Sequence, residues 1–337
     1  MGMEEKSNVG GQEKVGTRED CKWGPCEIVK KTFEIYKAQT CTFTWIQVLI
    51  VFPCTVLWLL NQFLTRKWIH DYWPRPPCPG PCPPSPPMQF TFGDDPSPCD
   101  NFIPCEWKAV LAFFALFVFG FIFWINVVGA IFFAVGSAYA GKTICFKDVI
   151  AALPGLWKGL FVTAVWSYLF FLVTIASVFL LEYVLTAFAS ISFLPVPIVH
   201  LLTFTVGWIL FFFTTTTNQM ANGVTVFEQT CGPAAYCKAL ELLKFKWCVA
   251  LGIAIIYFIP QAVLTVIVNA FTWACAGVWA KYVFFGVLAN LLAVVLQLNI
   301  MSSAIFYLSA KQSNNEFISV DHFSYGQLTG EYQRIGV

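Results

Sequence analysis

"GPAAYCKALELLKFKW", residues 232–247, is a short charged phrase set between two long apolar runs. Tyr236, Ala239, Leu240 and Leu243 recur at three- and four-residue spacing, and Lys238, Glu241 and Lys244 take the other side. That is the period of a helix with a single apolar stripe. It is too short and too charged to cross a bilayer, so the pattern predicts a helix lying in the cytosolic membrane interface. Its stripe is expected to face the lipid tails and its lysines the headgroups, which makes membrane lipids a partner. An earlier copy, "GPCEIVKKTFEIYKAQ" at residues 24–39, sets Val29, Phe33 and Tyr36 against Lys30, Glu34 and Lys37.

What surrounds the two phrases fixes the class. Hydrophobic residues make up 58% of the chain and charged residues 12%, about half the share usual in soluble domains. Six apolar runs are long enough to cross a hydrocarbon core of about 30 Å: roughly 41–64, 107–136, 159–188, 192–217, 247–272 and 283–309. The sequence therefore predicts an all-α membrane protein of six transmembrane helices with interfacial amphipathic helices. Residues 1–23 read as a cytosolic tail, 24–310 as the membrane domain with an outer loop at 65–106, and 311–337 as a second cytosolic tail. Residues 1–40 lack the apolar region of a cleavable signal, and Lys6 stands where N-myristoylation requires serine or threonine. A net charge of +1 gives no basis for nucleic-acid binding.

Proline positions tie the two phrases together. Pro53 follows Gly24 by 29 residues and Pro260 follows Gly232 by 28, each inside the next span, where a kink is expected. "CFKDVIAALPGLWKG", residues 145–159, repeats Phe146, Val149, Ile150 and Leu153 at helical spacing without the Gly-Pro opening. The economical reading is three units in series, each an interfacial helix, a rising span and a returning span.

Basic residues orient the chain. Fifteen Lys and Arg fall on the side of the N-terminus and five on the other, which places both termini in the cytosol, at an endomembrane or the plasma membrane. The outer loop then carries Cys78, Cys82, Cys99 and Cys105 in a proline-rich setting with too few apolar residues for a core. Two disulfides in an oxidising lumen are the favoured reading, with a four-thiolate zinc site as the alternative.

No catalytic or nucleotide-binding motif is present, and three scattered histidines make no metal centre, so neither enzyme chemistry nor a cofactor is expected. Glu182 is the carboxylate well inside a predicted span; the favoured reading is that it reaches headgroups or water at the outer end, and the alternative is a contact with His200, at a similar depth on the next span. Asn126, Gln261, Asn269, Asn290, Gln297 and Asn299 read as interhelical hydrogen-bonding groups, and the threonines of "TTTTNQ" (214–219) as bonding back to carbonyls one turn earlier. In the C-terminal tail, Tyr325 with Leu328 and Tyr332 with Ile335 have the spacing that cytosolic adaptor proteins capture in extended form.

"VFEQTCGPAAYCKALELLK" (226–244) resembles the V-x-E-x-x-x-G-x-x-A segment of a family of uncharacterised plant six-span membrane proteins. "AVGSAYAGKTICFKDVIAALPGLWKG" (134–159) is similar to that family's second cytosolic crossing, and "DHFSYGQLTGEYQRI" (321–335) to its closing phrase, with Tyr325 and Gly326 in the opposite order. The resemblance implies a membrane protein without an assigned activity, and the Pro/Cys-rich loop departs from it. Two functions fit: a non-enzymatic organising or interaction protein of the secretory pathway, and a transporter of a small solute or lipid.

Overall fold

The computed structural model describes residues 24–72, 107–192, 195–244, 246–274 and 278–314. They form helices α1 (Pro25–Ala38), α2 (Thr40–Ile46), α3 (Phe52–Tyr72), α4 (Trp107–Tyr139), α5 (Phe146–Ser192), α6 (Val196–Glu228), α7 (Pro233–Leu243), α8 (Trp247–Ala274) and α9 (Val278–Ser313). Among the described residues, six stretches are long and apolar enough to cross a membrane: Thr40–Asn61, Phe114–Tyr139, Phe146–Phe188, Pro197–Glu228, Trp247–Val268 and Val283–Ser313. These six match the runs read from the sequence, and they fit an integral membrane protein.

Contacts between helices close the three units into a ring. The returning helices α4, α6 and α9 touch one another and make an inner triangle. Each rising helix packs on the returning helix of the unit before it: α3 on α9, α5 on α4, α8 on α6. The short helices follow the same rule, α1 seating on α8 and α9, and α7 on α5 and α6. Burial along the first and third rising helices agrees at several equivalent positions. Phe43, Ile46 and Ile50 are buried like Ala250, Ile253 and Tyr257, whereas Val48 and Leu49 are exposed like Ile255 and Ile256. Each of the former lies as far before Pro53 as its counterpart lies before Pro260.

Both copies of the Gly-Pro phrase begin alike, with glycine capping the helix and proline in its first turn, where the missing N–H costs nothing. Their span prolines are accommodated differently. A π-helical turn, Gln47–Val51, precedes Pro53. It widens the backbone where the proline ring crowds the carbonyl one turn back. Pro260 lies within a continuous α8.

The middle unit departs from the expected plan. Its amphipathic stretch is the first part of α5, continuous through Pro154 with the span, and not a separate interfacial helix. Asp148 accepts a hydrogen bond from Cys145 N–H at 2.9 Å and caps this helix start. At 47 residues α5 runs about 70 Å at 1.5 Å per residue, far beyond a single bilayer crossing. Val149 and Leu153 are buried and Ile150 is exposed. Gly129 of α4 makes room for Leu153 and Leu160, whose methyls would stand 3.0 Å from an added Cβ.

The short helices also turn differently from the expectation. The stripe of α7 faces protein instead of lipid: Ala235, Tyr236, Ala239, Leu242 and Leu243 are buried, and Leu240 is 38% exposed. In α1 the buried face is Ile28, Thr32 and Ile35, and Phe33 points outward. The reason is that a bundle interior satisfies an apolar stripe as well as lipid tails do, and it also offers partners to polar atoms within that stripe. Thr32 supplies the example. Its hydroxyl meets Ser302 Oγ at 2.8 Å, and Ser302 Oγ lies 2.7 Å from Tyr257 OH, which joins α1, α8 and α9 by buried hydroxyls.

Candidate functional site

The polar centre of the molecule lies where α6 ends and α7 begins. Gln229 ends α6 in the left-handed region (φ 56°), and Gly232 opens α7 at φ 66°. At Gly232 a side chain would be strained by conformation and would also press on Val162 and Trp166. The Gly232 N–H donates to Thr163 Oγ1 at 3.2 Å, and Thr163 lies 2.7 Å from Thr225 Oγ1, so the turn is tied to α5 and α6. Below it, Tyr236 OH donates to Asn218 Oδ1 at 2.5 Å and lies 2.5 Å from Ser167 Oγ. Burial pushes the Tyr236 hydroxyl up to about 12, so it stays a neutral donor.

The turn holds Glu228 in place. One oxygen of its carboxylate accepts from Tyr307 OH at 2.5 Å and from Lys311 Nζ at 3.0 Å, and the other pairs with Lys238 Nζ at 2.5 Å. The Glu228 and Lys311 side chains are each only 10% exposed, against 33% for Lys238. A carboxylate so enclosed is held by charge-assisted hydrogen bonds from two neighbouring elements, α7 and α9, and joins both to its own α6. Next to it, one aromatic ring from each returning helix fills the inner triangle. Phe132 lies 6.0 Å from Phe227, which stacks on Tyr307 at 5.3 Å, and all three are buried.

Sequence-predicted residues fall in several places. Glu182 and His200 do meet, with Nδ1 3.2 Å from Oε1, near the ends of α5 and α6 remote from Glu228. Both side chains are well exposed, and a pair of that kind contributes about 0–1 kcal/mol. Asn126 accepts from Trp157 Nε1, Gln47 donates to Asn290, and Gln297 donates to the Phe43 carbonyl, all between helices. Thr217 bonds back to the Phe213 carbonyl. Lys238 is drawn to Glu228 instead of outward, and Lys244 is exposed. Cys78, Cys82, Cys99, Cys105, Tyr325, Leu328, Tyr332 and Ile335 lie outside the described residues.

Glu228, Tyr307 and Lys311 were not singled out by the sequence reading. A carboxylate at the end of an apolar run looks like a solvated helix end. The available signal was the glutamate of the V-x-E phrase at 226–228.

Residues 91–335 match a family described as a domain of unknown function, DUF8558. The chain belongs to this family. The match takes in α4 to α9, and with them Glu228, Lys238, Tyr307 and Lys311. No curated protein and no solved structure matches the chain.

Proposed function

We propose that the protein is a non-enzymatic membrane-organising or interaction protein of the secretory pathway, with N- and C-termini in the cytosol. The observation that carries this reading is the aromatic closure of the inner triangle by Phe132, Phe227 and Tyr307. A solute path along the ring's centre would have to pass between these rings. Polar side chains of the spans support the same reading, since Asn126, Gln47 and Gln297 are engaged in joining helices. A cavity lined by Thr216, Gln219, Ser303 and Phe306 has room for roughly one water. The plant six-span family is the finer assignment that the sequence phrases support.

The cytosolic tail is then the surface through which partners act, with adaptor proteins reading Tyr325 and Tyr332. In cells, Tyr325→Ala with Tyr332→Ala is expected to redistribute the protein among compartments without lowering its abundance. Glu182→Gln and His200→Gln are expected to leave distribution unchanged. A transporter reverses the ranking. Solute flux in reconstituted vesicles that vanished with Glu182→Gln and survived the tail substitutions would overturn the proposal.

A further inference from the structure

The third rising helix fills its seat less fully than the first. Phe43 stands ten residues before Pro53 and Gln47 six before it; Ala250 and Ala254 stand at the same distances before Pro260. In the first unit both large side chains are buried, and Gln47 reaches across to Asn290 of α9. In the third unit two methyl groups take their places, and a cavity with room for roughly one water lies between α8, α6 and α9. Ala250 and Ala254 line it from α8, Thr216, Gln219 and Met220 from α6, and Ser303 from α9.

The polar atoms of this lining do not balance among themselves. Thr216 is 6% exposed, and among the described residues its hydroxyl meets no protein partner. On the same helix Thr203, Thr217 and Thr225 each bond back to a carbonyl one turn earlier, and Thr216 does not. Ser303 Oγ faces two acceptors, Gln219 Oε1 and the Asn299 carbonyl, with a single proton to give. Unmet polar groups are costly inside a bilayer, where no bulk water can serve them. Gln219 lies nine residues before Glu228, about 13 Å along α6 from the ion cluster.

We propose that this cavity is a binding site for a single water molecule, which joins α6 to α9 beneath the seat of α8. The water accepts a hydrogen bond from the Thr216 hydroxyl. It donates one to Gln219 Oε1, which leaves the Ser303 proton for the Asn299 carbonyl, and a second to Ser303 Oγ. Three polar partners are the usual number for a buried water. The lining carries no charged side chain to hold an ion, and a lipid headgroup is far too large for the space. The site is independent of the function proposed above. In the first unit protein atoms do the same work, the Gln47 amide meeting Asn290 directly.

The test is hydroxyl-radical footprinting of the full-length protein in lipid nanodiscs, with oxidation read by mass spectrometry. A short X-ray pulse makes radicals from bound water as well as from solvent, and they react with side chains beside that water. Met220 lines the cavity and Met301 of α9 does not, yet both are closed to solvent, at 1% and 0% exposure. Met220 is expected to oxidise several-fold faster than Met301. Thr216→Val keeps the shape of the side chain and removes the hydroxyl, so the Met220 rate is expected to fall to that of Met301. Ala254→Val fills the space and is expected to do the same. A wild-type Met220 rate no greater than that of Met301 overturns the proposal. So does a fast Met220 rate retained in either variant while Met301 stays slow. Fast oxidation of Met301 marks a variant that has lost its packing, and the wild-type comparison and the other variant then decide.

Discussion

Gly223 of α6 lies so close to the ring of Tyr307 on α9 that an added Cβ would stand 2.9 Å from Tyr307 Cγ. The same Cβ would come within 3.2 Å of Phe132 Cε1. Both rings are fully packed, so neither has an easy direction of retreat. Gly223→Ala is therefore expected to cost about 1–3 kcal/mol, as overpacking does in close-packed cores. Thermal unfolding of the detergent-solubilised protein checks it. Gly120, inside α4 and with nothing within 4 Å of its Cβ position, supplies the control: Gly120→Ala is expected to keep or raise the midpoint, since alanine is the better helix former.

The ion cluster at the end of α6 predicts an ordering among single substitutions. Glu228→Gln leaves Lys311 enclosed without its counter-charge, and Lys311→Met leaves the carboxylate with one cation fewer. Each is expected to cost about 3–5 kcal/mol. Lys238→Gln, at a position one-third exposed, is expected to cost at most about 1 kcal/mol. The double change Glu228→Gln with Lys311→Met should be milder than the sum of its parts, because it removes both charges. Additive losses in chemical denaturation would show that the two side chains do not act as a pair.

On α7, two leucines three residues apart should behave differently. Leu243 is fully buried and Leu240 is 38% exposed. Leu243→Glu forfeits about 1.5–3 kcal/mol of burial and forces a carboxylate into the packing, so misfolding and retention are expected. Leu240→Glu is expected to retain near-normal abundance. Equal loss from both would mean that the stripe faces lipid after all.

Sidedness is testable because the chain contains no Asn-x-Ser/Thr acceptor of its own. An acceptor engineered near Ser85 is expected to be glycosylated in microsomes, and one near Ser313 is not. In the same preparation, mass spectrometry of unreduced peptides is expected to find Cys78, Cys82, Cys99 and Cys105 in disulfides. Free thiols at all four positions, or stoichiometric zinc, would contradict that.

The spans were legible in the sequence because their signal is length and hydropathy, which need no partner to be recognised. The two Gly-Pro helices were legible for a similar reason: cap, first-turn proline and periodicity are all local. Which face they bury was not legible. Leu240 and Leu243 share one stripe on a helical wheel, and only the neighbouring α5, α6 and α9 decide that Leu243 goes inward. Glu228 was hidden because its meaning depends on Tyr307 and Lys311, about 80 residues further on. The Glu182–His200 contact was one of two readings the sequence offered, since few residues separate the two spans and so set which depths face each other. The fusion of the middle amphipathic stretch into α5 was missed because Pro154 and the charges around it look like a break.

The ring has a consequence for the order in which the molecule is made. Thr32 of α1 finds its partner Ser302 on α9, 270 residues later in the chain. At about 5–20 residues per second, the ribosome needs roughly 15–55 s to supply that partner. For that interval α1 lacks its seat on α8 and α9, and its buried face of Ile28, Thr32 and Ile35 must be sheltered by something else. Seating of α1 on α9 thus waits for the last of the described helices, and it works as a clasp: the ring is closed only when that helix has entered the membrane.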